Sequence, residues 1–340
     1  MRGEERALTL SSSPGAPSVA IVGAGPCGLA AAVALKKAGI ASTLFDRSCL
    51  VSAIAGYPTY VTFFSTPEKL EVGGVRFKCA GEKPTRQEGL AYYRGVAAKH
   101  GVYLRQYENV ERIERVGGRF IVHSTPMQGE RRESDASAVI IATGYFAGPN
   151  LLGVPGENLP HVSHRFVEGH GAFQRDVLVV GGGNSAVECA LELARCGARV
   201  TLAHYESGFV SHVIKPWIRP EFDARVAAGE IKPVWEARVN AIESARVVLS
   251  TASGMMVVPA HHVYLMTGYT PAPGLLGQLG VPFHKGTGVP AHDLATMETT
   301  VPGVFVCGVL TSGSRANGIF IENGRGHGGL IAREIARTSL

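Results

Sequence analysis

Cys27 stands inside a glycine-rich turn, Gly23-Ala-Gly25-Pro26-Cys27-Gly28, and both the thiol and the turn offer chemistry. Four apolar residues, Val19-Ala-Ile-Val22, precede the turn and read as a buried parallel strand; an Ala-rich run from Ala30 to Ala38 follows and reads as a helix. In such a strand–turn–helix unit the first glycine permits the tight turn, the second lets a pyrophosphate approach the backbone, and the third lets the helix lie close on the strand. Gly23, Gly25 and Gly28 stand at those places, with Pro26 beside them. The helix N-terminus then presents free amide N–H groups and partial positive charge to an anion. The next strand, from Gly39, ends at Asp46, 23 residues beyond Gly23, where a carboxylate holds the ribose of an unphosphorylated adenosine; Arg47 belongs to the same candidate site. A helix N-terminus also lowers a thiol pKa. Cys27 therefore has two readings: a thiolate that forms and resolves a mixed disulfide, or a small side chain filling the turn.

The pattern repeats. Asp176-Val-Leu-Val-Val180 leads into Gly181-Gly-Gly183-Asn184-Ser185-Ala186, with Ala186 at the place of the third glycine. His204, not an acid, stands 23 residues beyond Gly181. With no acid there to repel a 2′-phosphate, NADPH is expected over NADH, with Lys215 and Arg219 as helpers; the competing reading makes His204 an ordinary surface histidine. Each half then runs through a small antiparallel insertion to a buried strand and a Thr-Gly-Tyr turn: Thr143-Gly144-Tyr145 in the first, Thr267-Gly268-Tyr269 in the second. Two dinucleotide sites in series imply a relay in which the protein positions two reactive rings and the cofactors carry the redox chemistry.

These units must be carried by an α/β fold of two Rossmann-like dinucleotide-binding domains. Residues 161–271 are expected to form one domain, inserted into another built from 17–160 and 272–340, with a Pro/Gly-rich linker over 146–160 and a disordered tail over 1–17. In the first half a helix is expected from Gly89 to His100, a short strand at Val102–Gln106, and a hairpin turning at Gly117-Gly118. In the second, short strands are expected over Val234–Ile242 and Arg246–Ser250. A last strand, Gly303–Gly308, precedes a glycine-rich helix over Glu322–Ile335.

Composition narrows the classes. The chain has 340 residues, 45% hydrophobic and 18% charged, with a net charge of +5. It has neither the long apolar run of a membrane span nor the basic and aromatic interleaving of a nucleic-acid binder. The N-terminal stretch has no apolar signal core, so a cytoplasmic protein with six reduced cysteines is expected. Cys189 and Cys196, at i and i+7, lie about 10 Å apart along a helix, beyond disulfide reach, and read as core packing. Cys307 reads as buried in its strand. His161, His164 and His170 form no metal-ligand pattern.

The two fingerprints and Ala142-Thr143-Gly144 resemble the thioredoxin-reductase-like flavoproteins. Four further stretches resemble the bacillithiol disulfide reductase branch: Gly25-Pro-Cys27-Gly28; Tyr57-Pro-Thr with Thr62-Phe-Phe-Ser65; Ile214-Lys-Pro-Trp-Ile218; and Ile321-Glu-Asn-Gly-Arg325 with His327-Gly-Gly329. The resemblance implies FAD in the first domain, near Thr62 and Gly308, and NADPH in the second, near Gly268. It also implies a low-molecular-weight disulfide as substrate, with Cys27 as its thiol, and a homo-oligomer. The chain departs from thioredoxin reductase proper in having no Cys-x-x-Cys, and in placing Gly308-Val309 where Gly-Asp is common. A ferredoxin–NADP reductase with a redox partner protein needs no cysteine and stays open as an alternative, as do a flavin monooxygenase and a redox-sensing flavoprotein.

Overall fold

The computed structural model describes residues 18–145, 148–210, 213–269, 274–313 and 318–338; the tail expected over 1–17 lies outside them. The chain divides into two compact units. One comprises Met1–Ala55, Thr62–Tyr145 and Pro271–Leu340, the other Gly56–Val61 and Phe146–Thr270.

The first unit opens with β1 (Ser18–Val22), α1 (Pro26–Lys37) and β2 (Ala41–Phe45), followed by α2 (Ser52–Ala55), α3 (Pro67–Leu70) and α4 (Arg86–His100). A capping box at Thr85 and Glu88 starts α4 three residues before the expected Gly89, and Gly101 in the left-handed region stops it. Then come β3 (Leu104–Arg105), β4 (Glu108–Val116), β5 (Arg119–Pro126), β6 (Arg132–Ala136) and β7 (Ala138–Ile141). The parallel sheet has the order β3-β2-β1-β7, with one more strand beyond β7 supplied from the C-terminal region. Residues 19–22 of β1 and all of β7 are buried, as a sheet covered on both faces requires. The strands β4, β5 and β6 make a separate antiparallel sheet. Its third strand was not foreseen, because Arg132–Ala136 is polar at four of five positions.

The second unit contains β8 (Val162–Ser163), β9 (Asp176–Val180), α5 (Asn184–Arg195), β10 (Arg199–Ala203), α6 (Arg219–Ala227) and β11 (Ile231–Val234). It continues with β12 (Arg238–Ile242), β13 (Arg246–Thr251), β14 (Gly254–Pro259) and β15 (His262–Leu265). Its parallel sheet has the order β11-β10-β9-β15-β8, and β12, β13 and β14 form the antiparallel insertion. The core is apolar, with Val177, Val179, Leu191, Leu202 and Phe222 all buried.

The chain then completes the first unit with α7 (Gly274–Gln278), β16 (Val304–Val306), α8 (Ile321–Gly324) and α9 (His327–Thr338); β16 pairs with β7. The single final helix expected over Glu322–Ile335 is therefore two, broken at Arg325-Gly326. Gly328 lets α9 approach α1 closely: a Cβ there would sit 2.5 Å from Ala31 Cα.

The expected domain limits need two corrections. Segment 148–160 belongs to the second unit, because Ile242 donates its N–H to Pro155 O and Asn150 donates its N–H to Gly268 O. Residues 56–61 also group there: Thr59 donates its N–H to Val167 O and its hydroxyl to Glu168 Oε2, and the Tyr60 ring lies 6.4 Å from Phe166. Among the described residues no helix is long and apolar enough to cross a membrane.

Candidate functional site

The first turn is shaped by close approaches. Gly23 has φ +108°, and a Cβ on it would lie 2.4 Å from Ala142 O; a Cβ on Gly28 would lie 2.0 Å from Gly23 O. Gly25 is different. It caps α1 without a side-chain hydrogen bond, and a Cβ there would meet nothing within 4 Å. Pro26, at the first helical position, has no N–H to satisfy. Asp46 Oδ2 accepts the Ala24 N–H at 2.8 Å and Oδ1 accepts the Ser48 N–H at 2.8 Å. Val51 donates its N–H to Ala24 O at 2.8 Å and holds φ +49°, a strained value for a β-branched residue. Both sides of the Ala24 residue are thus clamped, while the first-turn amides of α1 have no intrahelical acceptor. An opening at Gly25, free amides and a carboxylate with unused lone pairs fit the pyrophosphate and ribose of a dinucleotide. Arg47 and Thr143 are exposed, and Gly144 follows Thr143 at the end of β7.

Cys27 is half-buried. A Cβ on Gly308 would lie 3.1 Å from its Sγ, and a Cβ on Gly324 2.9 Å from it, so these two glycines make the seat of the thiol. Burial pushes the thiol up to about 12. This corrects the expected depression: desolvation outweighs the helix terminus, and the resting group is a thiol. Cys307 is buried as expected and donates its Sγ–H to Cys27 O at 3.5 Å. Gly308 lies at the thiol, but its N–H is taken, donated to His327 Nδ1 at 3.2 Å. That bond leaves the His327 proton on Nε2, and burial, helped by His292, holds the ring below the usual histidine range.

Two stretches that carried the family resemblance meet beside this seat. Ser65 donates its hydroxyl to Glu322 Oε2 at 3.1 Å, Lys69 Nζ lies 3.7 Å from the same oxygen, and Arg325 bonds Glu322 O and Glu71 O. Thr62 is exposed, in an isolated bridge with Thr85. His327 and Glu322 escaped selection as site residues because each was read only as part of a motif.

In the second turn a Cβ on Gly181 would lie 2.4 Å from Met266 O and 3.1 Å from Ala186 Cβ. Ala186 is fully buried and sets the helix–strand spacing. Gly183 caps α5 without a side-chain bond, and a Cβ there would meet nothing within 4 Å; Ser185 follows, exposed. The Asn184 side chain is engaged: it donates to Val213 O at 2.9 Å and accepts the Lys215 N–H at 2.8 Å, fixing the Ile214–Ile218 stretch to the start of the helix. Gly268 is exposed, on a turn where Thr267 Oγ1 donates to Asn150 O at 2.7 Å and Asn150 Nδ2 returns a bond to Thr267 O.

His204 is no surface residue: it is 5% exposed, with its imidazole against the Gly182 backbone. An acid is also present after all, since Glu206 Oε2 lies 3.3 Å from His204 Nε2. Arg219, expected as a helper, has its Nε bonded to both carboxylate oxygens of Asp223. Lys215 lies over the Trp217 ring at 5.7 Å. Arg238, which sequence spacing could not select, stacks over Tyr205 at 5.1 Å. Cys189 is buried as expected, whereas Cys196 is only half-buried. Burial holds Glu188 above the usual carboxylate range, opposed by Arg195, and raises the Tyr60 phenol.

Most of the chain matches known proteins closely. Residues 20–308 match the family model described as pyridine nucleotide-disulphide oxidoreductase. The bacilliredoxin reductase Bdr of Bacillus subtilis (strain 168) is 44% identical over 318 residues, 93% of this chain and 97% of that protein. The solved bacillithiol disulfide reductase Bdr (YpdA) of Bacillus cereus superposes with TM-score 0.91 at 42% identity, covering 95% of this chain and 99% of that one. Its counterpart from Staphylococcus aureus gives TM-score 0.88 at 35% identity, covering 95% and 98%. The two parallel sheets, their paired glycine turns and these matches together show that the chain is an oxidoreductase belonging to the pyridine nucleotide-disulphide oxidoreductase family.

Proposed function

We propose that the protein is a cytoplasmic, homo-oligomeric NADPH-dependent flavoprotein that reduces a low-molecular-weight disulfide, with bacillithiol disulfide its substrate. The observation that carries this reading is the seat of Cys27, a thiol placed within the first dinucleotide turn and flanked by Gly308 and Gly324. The unit holding that turn would take FAD, through Gly23, Gly25, Gly28 and Asp46. The other would take NADPH, through Gly181, Gly183, the α5 amides and His204. FAD bound there would supply two-electron redox chemistry between the nicotinamide nucleotide and sulfur.

The residues of the chain supply the rest. The glycine turns bring backbone amides against phosphates, and Asp46 accepts ribose hydroxyls. Cys27, neutral at rest, must lose its proton before its sulfur can attack a disulfide; the S–S bond breaks, one thiol leaves, and a mixed disulfide remains. Two electrons and protons then release the second thiol, so that NADPH, one proton and one disulfide give NADP+ and two thiols. His327 Nε2–H is a proton carrier near Gly308 and the Cys27 seat.

The test is NADPH consumption by purified protein with bacillithiol disulfide, glutathione disulfide, a bacilliredoxin, ferredoxin, or oxygen alone. Fast consumption that depends on bacillithiol disulfide is expected. Equal rates with oxygen alone would contradict the reading.

A further inference from the structure

Cys307 directly follows β16, and its thiol turns to the start of α1, where Sγ–H donates to Cys27 O at 3.5 Å. That carbonyl lies inside α1, where the helix ladder already supplies a donor, so it does not need the thiol. The backbone one residue on comes equally near: a Cβ on Gly308 would lie 3.0 Å from Cys27 Cβ and 3.1 Å from Cys27 Sγ. A disulfide requires such a close approach of two backbones. To reach the Cys27 sulfur, the Cys307 side chain has only to turn from the oxygen of that same residue. The two thiols differ in access. Cys27 is half-buried, whereas Cys307 is 1% exposed. A disulfide arriving from solvent meets Cys27, and Cys307 meets it only through Cys27. The chain has no Cys-x-x-Cys, so a dithiol in it has to be assembled from distant residues, and these two stand 280 apart.

We infer that Cys307 is the resolving thiol of the reaction: it displaces the small thiol held on Cys27 and closes a Cys27–Cys307 disulfide. This rests on the reading that Cys27 attacks a low-molecular-weight disulfide. Without Cys307 the second small thiol leaves only when two electrons arrive; with it, that thiol leaves beforehand. Cys307 gives up its proton and its sulfur attacks Cys27 Sγ. The bond from Cys27 to the small thiol breaks, and the departing sulfur takes the electron pair and a proton. The sum of both exchanges is one disulfide and two protein thiols giving two small thiols and one protein disulfide. NADPH and one proton, under the proposed function, then restore the dithiol. Charge fixes the order of events. Burial holds the Cys307 thiol well above the usual thiol range, and a charge on Cys27 would raise it further. Once Cys27 is capped as a mixed disulfide it carries no charge, and that second obstacle is gone. Cys307 therefore ionises more readily after Cys27 has reacted than before.

The experiment adds bacillithiol disulfide to the purified, pre-reduced protein without oxygen or NADPH, with visible absorbance followed to show that no electrons come from flavin. Released small thiol is counted, and an acid-quenched, non-reduced digest is mapped by mass spectrometry. About two small thiols per chain are expected, with a peptide pair joining Cys27 to Cys307. Cys307→Ser should release about one and keep the small thiol on Cys27, and Cys307→Ala should do the same. The unchanged protein decides the matter even if both variants fold poorly. Release of about one thiol from it, with a lasting adduct on Cys27, overturns this inference and leaves the proposed function standing. A link from Cys27 to any other cysteine overturns it too. No release and no adduct on Cys27 would remove Cys27 from the reaction, and the proposed role of that residue fails with the inference.

Discussion

The His204 imidazole occupies the space that any side chain on Gly182 would need: a Cβ there would sit 2.1 Å from His204 Cε1. The first unit solves the same problem with the opposite pair, Ala24 and the shorter Asp46, whose Oδ2 accepts the Ala24 N–H. Gly182→Ala should therefore cost about 1–3 kcal/mol of stability through overpacking. His204→Ala in the same chain should recover most of that loss, a coupling of at least about 1 kcal/mol in a double-mutant cycle read by denaturant melts. Additive effects would show that the two residues do not share the space.

Gly25 and Gly28 stand three residues apart yet should fail differently. Gly28→Ala drives a methyl to 2.0 Å from Gly23 O, so the folded state itself should lose about 1–3 kcal/mol. Gly25→Ala meets nothing within 4 Å and should leave apoprotein melting nearly unchanged while weakening flavin retention at least tenfold. Thermal melts and flavin content after gel filtration separate the two outcomes. Gly183→Ala, equally unhindered, should do to NADPH binding what Gly25→Ala does to flavin.

The Cys27 thiol, pushed up to about 12 by burial, is protonated throughout the neutral range. A raised thiol pKa favours the folded state while the group is neutral, and that advantage is lost as pH climbs from the ordinary thiol range toward 12. Alkylation of Cys27 in the cofactor-free protein should accordingly rise about tenfold per pH unit from neutrality with no plateau below about pH 10. A plateau near pH 7 would mean that the helix terminus prevails over desolvation.

The parts most legible in the sequence were those that physics ties to spacing. A strand, three small residues at fixed offsets and a helix give a dinucleotide turn wherever they occur, and both turns stand where that spacing puts them. The repeated Thr-Gly-Tyr echo marked the ends of β7 and β15 for the same reason. Contacts between residues distant in sequence were not legible. Glu206 lay two residues outside the position where an acid is sought, and Arg238 reaches Tyr205 from another strand. The Cys27 thiol was misjudged because its helix position shows in the sequence, whereas its burial between Gly308 and Gly324 comes from segments some 280 and 300 residues away. The grouping of 56–61 with the second unit was hidden likewise, since Thr59 finds Glu168 across 109 residues.

Under the proposed function, two nucleotide-bound rings feed electrons to a disulfide through Cys27. The most direct measurement follows flavin absorbance anaerobically in native protein and in Cys27→Ser, adding one equivalent of NADPH and then excess bacillithiol disulfide. NADPH should bleach the flavin in both, and the disulfide should restore the yellow colour in native protein at least about a thousandfold faster than in the variant, the scale of losing a covalent nucleophile. Restoration at the same rate in Cys27→Ser, or material that carries no flavin and takes up none, would contradict it.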